Sequence, residues 1–142
     1  ATNAGDYTYS IADTLANIAA ALPLDADYAL TDVASDITTV TVAEAGVIKG
    51  ATNAGDYTYS IADTLANIAA ALPLDADYAL TDVAGDITTV TVAEAGVIKG
   101  ATNAGDYTYS IADTLANIAA ALPLDADYAL TDVASDITTV TV

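Results

Sequence analysis

The sequence predicts an α/β tandem-repeat solenoid, built as β-α-β-β-α in each 50-residue unit with parallel strands stacking between copies. Three observations carry that expectation. First, residues 1–50 recur as 51–100 and again, shortened, as 101–142, with Ser35 replaced by Gly85 and restored as Ser135. Self-similarity at such a period marks repeat architectures, in which each unit buries its apolar face against its neighbours. Second, each copy alternates between stretches of period two and stretches of helical period. Third, each helical stretch opens on a hydroxyl residue with an acid three positions later, the form of a capping box. The 142 residues read as one solenoid of repeats 1–50, 51–100 and 101–142. Opening and closing inside the repeat, they carry the expectation of a segment of a longer array.

The elements follow in order, numbered for the first copy. Ala1 to Gly5 reads as the tail of a helix begun in a preceding copy, stopped by Asn3, Ala4 and Gly5. Asp6-Tyr7-Thr8-Tyr9-Ser10-Ile11 alternates strictly and reads as a strand. Ser10-Ile11-Ala12-Asp13 is the expected capping box of a first helix, with Ile11, Leu15, Ile18, Ala19 and Leu22 on its apolar stripe. Pro23 ends that helix, because proline has no N–H to continue it.

Asp27-Tyr28-Ala29-Leu30-Thr31 echoes the first strand and predicts a second. A turn follows over Asp32 to Asp36, holding the variable position 35. Ile37 to Val42 is β-branched and predicts a third strand. Thr41-Val42-Ala43-Glu44 is the second capping box, predicting a helix from Val42 to Asn53, weakened by Gly46 and Gly50. Glu44 at its start and Lys49 near its end both suit the helix dipole.

Composition excludes several functions. The chain has no Cys, His, Met, Trp, Phe or Arg. The usual catalytic bases, thiol nucleophiles and soft-metal ligands are therefore missing, and no enzyme is expected. Twenty acidic residues against two Lys give a net charge of −18. Such a chain repels nucleic acid, and no apolar run approaches the roughly 18 residues of a membrane span. Neither a nucleic-acid partner nor membrane insertion is expected.

In-register stacking would place Tyr7, Tyr57 and Tyr107 in one ladder and the aspartates in others. Like charges about 5 Å apart in water repel by about 0.8 kcal/mol, so aspartate ladders would be a standing cost. Salt, spacing or a cation would have to offset it. Asp25, Asp27, Asp32 and Asp36 cluster in and around turns. Hard oxygen ligands in turns suit Ca2+, which makes these four the candidate metal ligands, although neither EF-hand spacing nor a glycine-rich nonapeptide is present. The same four residues also read as solvated turn and cap aspartates. The Thr39-Val40-Thr41 pattern, repeated in each copy, has the look of ice-binding rows, against ordinary β-propensity as the plainer reading.

The run Ser10 to Leu22, with Thr41-Val42-Ala43-Glu44-Ala45, resembles repeats of giant bacterial extracellular and cell-surface proteins, of the repeats-in-toxin-associated adhesin or surface-layer type. That resemblance implies secretion to the cell surface, a structural or adhesive role and Ca2+. The near-identity of the copies equally fits a consensus-designed repeat. The expected function is a non-enzymatic segment of a surface fibre, adhesin stalk or sheath. Its expected partner is itself, head to tail, with a calcium-dependent or ice-binding adhesin module as the alternative.

Overall fold

A computed structural model describes residues 8–140. The chain is mixed α/β, with short parallel strands in small sheets and five α-helices among the described residues. It divides into two compact units, Ala1–Asp63 with Leu74–Asp77, and Thr64–Pro73 with Tyr78–Val142.

The first unit holds β1 (Ile11–Asp13), α1 (Leu15–Ala21), β2 (Tyr28–Leu30), β3 (Thr39–Val40), α2 (Val42–Gly50), a 3-10 turn at Ala54–Asp56 and β4 (Ser60–Asp63). Strand β1 pairs in parallel with β2, Ile11 facing Tyr28 and Asp13 facing Leu30. Strand β3 of the first copy pairs in parallel with β4 of the second, Thr39 facing Ser60 and Val40 facing Ile61. Leu15, Ile18, Leu30, Val40, Val47, Ile48, Tyr57 and Ile61 are buried there.

The second unit holds α3 (Leu65–Ala71), β5 (Tyr78–Leu80), β6 (Thr89–Val90), α4 (Val92–Gly100), a 3-10 turn at Ala104–Asp106, β7 (Ser110–Asp113), α5 (Leu115–Ala121) and β8 (Tyr128–Leu130). Its three-stranded sheet runs β6-β7-β8, all parallel. Leu65, Ile68, Leu80, Val90, Val97, Ile98, Tyr107, Ile111 and Ile118 form its core.

Several expectations hold. Strand β2 lies where the Asp-Tyr-Ala-Leu-Thr run puts it. The turn at Asp32 to Asp36 closes with the Asp36 N–H on the Val33 C=O at 2.8 Å. Both bonds of the Thr41/Glu44 capping box are made.

The first helix differs. Its cap is Thr14, whose hydroxyl accepts from the Asn17 N–H, and not Ser10. The reason is tertiary: Ile11, Ala12 and Asp13 are drawn into the ladder with β2, so the helix cannot start before Leu15. The expected strand at Asp6 to Ile11 moves accordingly. Its first residues in copy one lie outside the described residues, as does the tail at Ala1 to Gly5. In the later copies Asp56 and Asp106 end 3-10 turns, and the strands begin at Ser60 and Ser110.

The third strand shrinks to Thr39–Val40. The second helix stops at Gly50 instead of reaching Asn53. Gly50 is there for close approach. A Cβ on it would sit 2.4 Å from the Tyr28 hydroxyl, which donates to the Val47 C=O at 2.9 Å and so satisfies a carbonyl of the last turn. Gly100 and Tyr78 repeat the arrangement.

The ladders of like residues are also corrected. Within each unit the strand neighbours are different segments of the repeat, so Asp13 faces Leu30 and Asp113 faces Leu130.

Candidate functional site

The aspartates serve helix starts. The Asp32 carboxylate accepts from the Leu15 N–H at 2.6 Å, and Asp82 and Asp132 do the same for Leu65 at 2.6 Å and Leu115 at 2.5 Å. Asp63 accepts from the Val42 N–H at 2.9 Å and Asp113 from the Val92 N–H at 3.0 Å. These N–H groups have no partner inside their own helices, and negative charge is favoured at that end of the helix dipole.

Asp113 serves two helices. Its second oxygen accepts from the Thr114 N–H at 2.8 Å and from the Asn117 side-chain amide at 2.7 Å. It is buried at 8% exposure. The Asn117 amide, then the Val92 and Thr114 N–H groups, hold its carboxyl below the usual carboxylate range. Asp13 is lowered in the same direction by Asn17 and then Thr14.

The four candidate Ca2+ ligands go to separate tasks. Asp32 caps α1. Asp27 receives the Ile11 N–H on its backbone carbonyl at 2.9 Å, and Asp36 closes the turn through its own N–H. Asp25 and Asp27 border an open cleft of about 460 Å³ beside Tyr9. The equivalents of Asp25 in the later copies, Asp75 and Asp125, pair with Lys49 and Lys99 on the ends of α2 and α4. Lys99 lowers the Asp125 carboxyl, and each lysine is raised by its aspartate partner. Among the described residues no group of three or more Asp or Glu is placed to hold a metal ion.

The most specific chemistry lies where one copy meets the next. Strand β2 offers its free edge to the segment after α2. The Asn53 side chain accepts from the Leu30 N–H and donates to the Leu30 C=O, both at 2.9 Å, as a neighbouring strand would. The Tyr57 hydroxyl bridges the carbonyls of Leu30 at 3.0 Å and Asp32 at 2.8 Å. Thr52 donates to the Tyr28 C=O through its N–H at 2.8 Å and its hydroxyl at 3.1 Å.

In the second unit Thr102, Asn103 and Tyr107 make the same bonds to Tyr78, Leu80 and Asp82. This clasp closes over Leu30 and Leu80, each 4% exposed. On β8 the same residues are exposed, Leu130 at 45% and Tyr128 at 50%.

Nothing local in the sequence marks the clasp. Asn53 meets a residue 23 positions upstream. Its composition reads as a helix stop, and Tyr57 reads as one more member of an alternating strand.

No family model, curated protein or solved structure matches this chain. No helix among the described residues is long and apolar enough to cross a membrane.

Proposed function

We propose that the chain is a structural, non-enzymatic solenoid segment of an extracellular bacterial surface fibre, adhesin stalk or sheath, extended head to tail by further copies of itself. One observation carries the reading: the strand edge of one copy is closed by the segment that opens the next, at Leu30 by Asn53 and Tyr57 and at Leu80 by Asn103 and Tyr107. A contact between two different faces of one unit is heterologous. Repeated without closing, it builds a filament instead of a ring. The negative charge keeps such a surface soluble and away from nucleic acid. The resemblance to surface-protein repeats supports an extracellular setting.

The carboxylates work as caps in this reading, which disfavours the calcium-dependent alternative. Thr41 is held by Glu44, which disfavours the ice-binding one.

The test is light scattering at rising protein concentration with electron microscopy. Growth of linear assemblies is expected, and a monodisperse species of 14.2 kDa without fibres overturns self-association. Thermal melting with calcium and with chelator tests the alternative: an unchanged midpoint removes it.

A further inference from the structure

We propose that the cleft holding Lys49, Tyr59, Asp75 and Asp77 is a binding site for a neutral saccharide. The cleft lies within the first unit and has a volume of about 800 Å³, in the range of small-molecule sites. Lys49, in the last turn of α2, meets Asp75 there in an ion pair. Asp75 raises the Lys49 ammonium, and the Tyr59 phenol acts in the same direction. In the second unit Lys99, Tyr109 and Asp125 line a cleft of about 270 Å³ in the same combination.

Folding energy does not account for these lysines. They are the chain's two cations, set against twenty acidic residues, and both stand in these clefts. Each partner of the two ion pairs is at least 69% exposed, and pairs so open to water contribute little to stability. What they do provide is a fixed donor and a fixed acceptor beside an aromatic ring.

The ligand class follows from the charges. One ammonium shares the larger cleft with two carboxylates. An anionic ligand would be repelled by Asp75 and Asp77, and a cationic one by Lys49. A neutral polyol uses both signs, because its hydroxyls donate to the carboxylates and accept from the ammonium. The half-buried Tyr59 ring supplies an apolar face for the C–H side of a sugar ring, with a hydroxyl at its tip. Each cleft is complete within one chain, so the site stands apart from the fibre reading.

The experiment titrates the 142-residue chain with maltose, cellobiose and N,N′-diacetylchitobiose. It reads saturation transfer from the tyrosine rings to the sugar protons by NMR. At least one disaccharide is expected to bind with a Kd on the order of 1 mM. Sodium glucuronate and choline, the anionic and cationic probes, should give no transfer. Lys49→Ala combined with Lys99→Ala should weaken binding by about fivefold and leave the unfolding midpoint unmoved, as exposed pairs require. Tyr59→Ala combined with Tyr109→Ala should abolish the transfer, while phenylalanine at both positions keeps the ring and should retain most of it. No transfer to any of the disaccharides at about 10 mM overturns the site. Binding of glucuronate or choline as strong as that of the sugars overturns the neutral ligand. Binding that survives both the lysine and the tyrosine-to-alanine variants overturns the placement in these clefts. Sugar binding by a chain that never assembles supports the site and sinks only the self-associating fibre.

Discussion

Leu80 and Leu130 are the same residue in the same local sequence, each in the third position of a Tyr-Ala-Leu strand. One is 4% exposed and the other 45%. Both strands precede the same turn, and the carboxylate two residues later caps the same kind of helix, Asp82 on Leu65 and Asp132 on Leu115. What differs is the segment after the second helix, present over Leu80 as Thr102, Asn103 and Tyr107. A copy therefore supplies the Asp that receives the first N–H of its own first helix. Its core, its third strand's pairing and the first N–H of its second helix are completed by the copy that follows. This is the nearest-neighbour logic of repeat proteins seen at single residues.

The largest expected effect breaks that contrast directly. Leu80→Ala should cost about 2–5 kcal/mol in urea unfolding, the range for a buried leucine, whereas Leu130→Ala should stay within about 0.5 kcal/mol. Equal losses would mean that Leu130 is covered in solution. Asn103→Ala comes next. It leaves the Leu80 N–H unpaired, while the Leu80 C=O keeps the Tyr107 hydroxyl, and should cost about 1–3 kcal/mol with faster amide exchange at Leu80.

The cap comparison should show no contrast. Asp82→Ala and Asp132→Ala should each lose about 0.5–2 kcal/mol and by similar amounts, because each cap acts inside one copy. A much smaller loss at Asp132 would show that the third copy is not folded independently of a successor.

Acid should act through Asp113, whose carboxyl is lowered in the folded chain. A depressed carboxyl contributes stability in full above its unfolded value of about 4 and loses it as pH falls through the lower folded value. The Asp113→Asn variant should therefore lose less stability than the parent when both are titrated from neutral pH down through that window. An identical fall would remove Asp113 from acid sensitivity. The smallest effect belongs to Lys99→Ala. The partners are 72% and 78% exposed, so removing the ion pair should barely move the unfolding midpoint, and less still in high salt.

These contrasts also explain what sequence could and could not reveal. The period, the turn around Ser35, the Pro23 stop, strand β2 and the Thr41/Glu44 cap rest on neighbours within a few residues, and all were legible. The start of α1 was not. Ser10-x-x-Asp13 and Thr14-x-x-Asn17 are both plausible caps, and the choice between them is made by the pairing of Ile11 with Tyr28. The capping work of the aspartates was hidden for a related reason: Asp32 reaches back 17 residues to Leu15 and Asp63 reaches back 21 to Val42. The clasp was least legible, since an asparagine imitating a strand leaves no periodic trace.

Position 35 is the one place where the copies differ, and it sits in an exposed turn. Gly85 has nothing within 4 Å of where a Cβ would lie. Elsewhere the contacts between copies are drawn from the same residues each time, Asn53 on the Leu30 backbone and Asn103 on the Leu80 backbone. A junction assembled from interchangeable parts makes length a free variable. Deleting or duplicating a whole fifty-residue copy recreates the same Leu-Asn-Tyr contacts at the seam, so recombination between copies can lengthen or shorten the array without inventing a new interface.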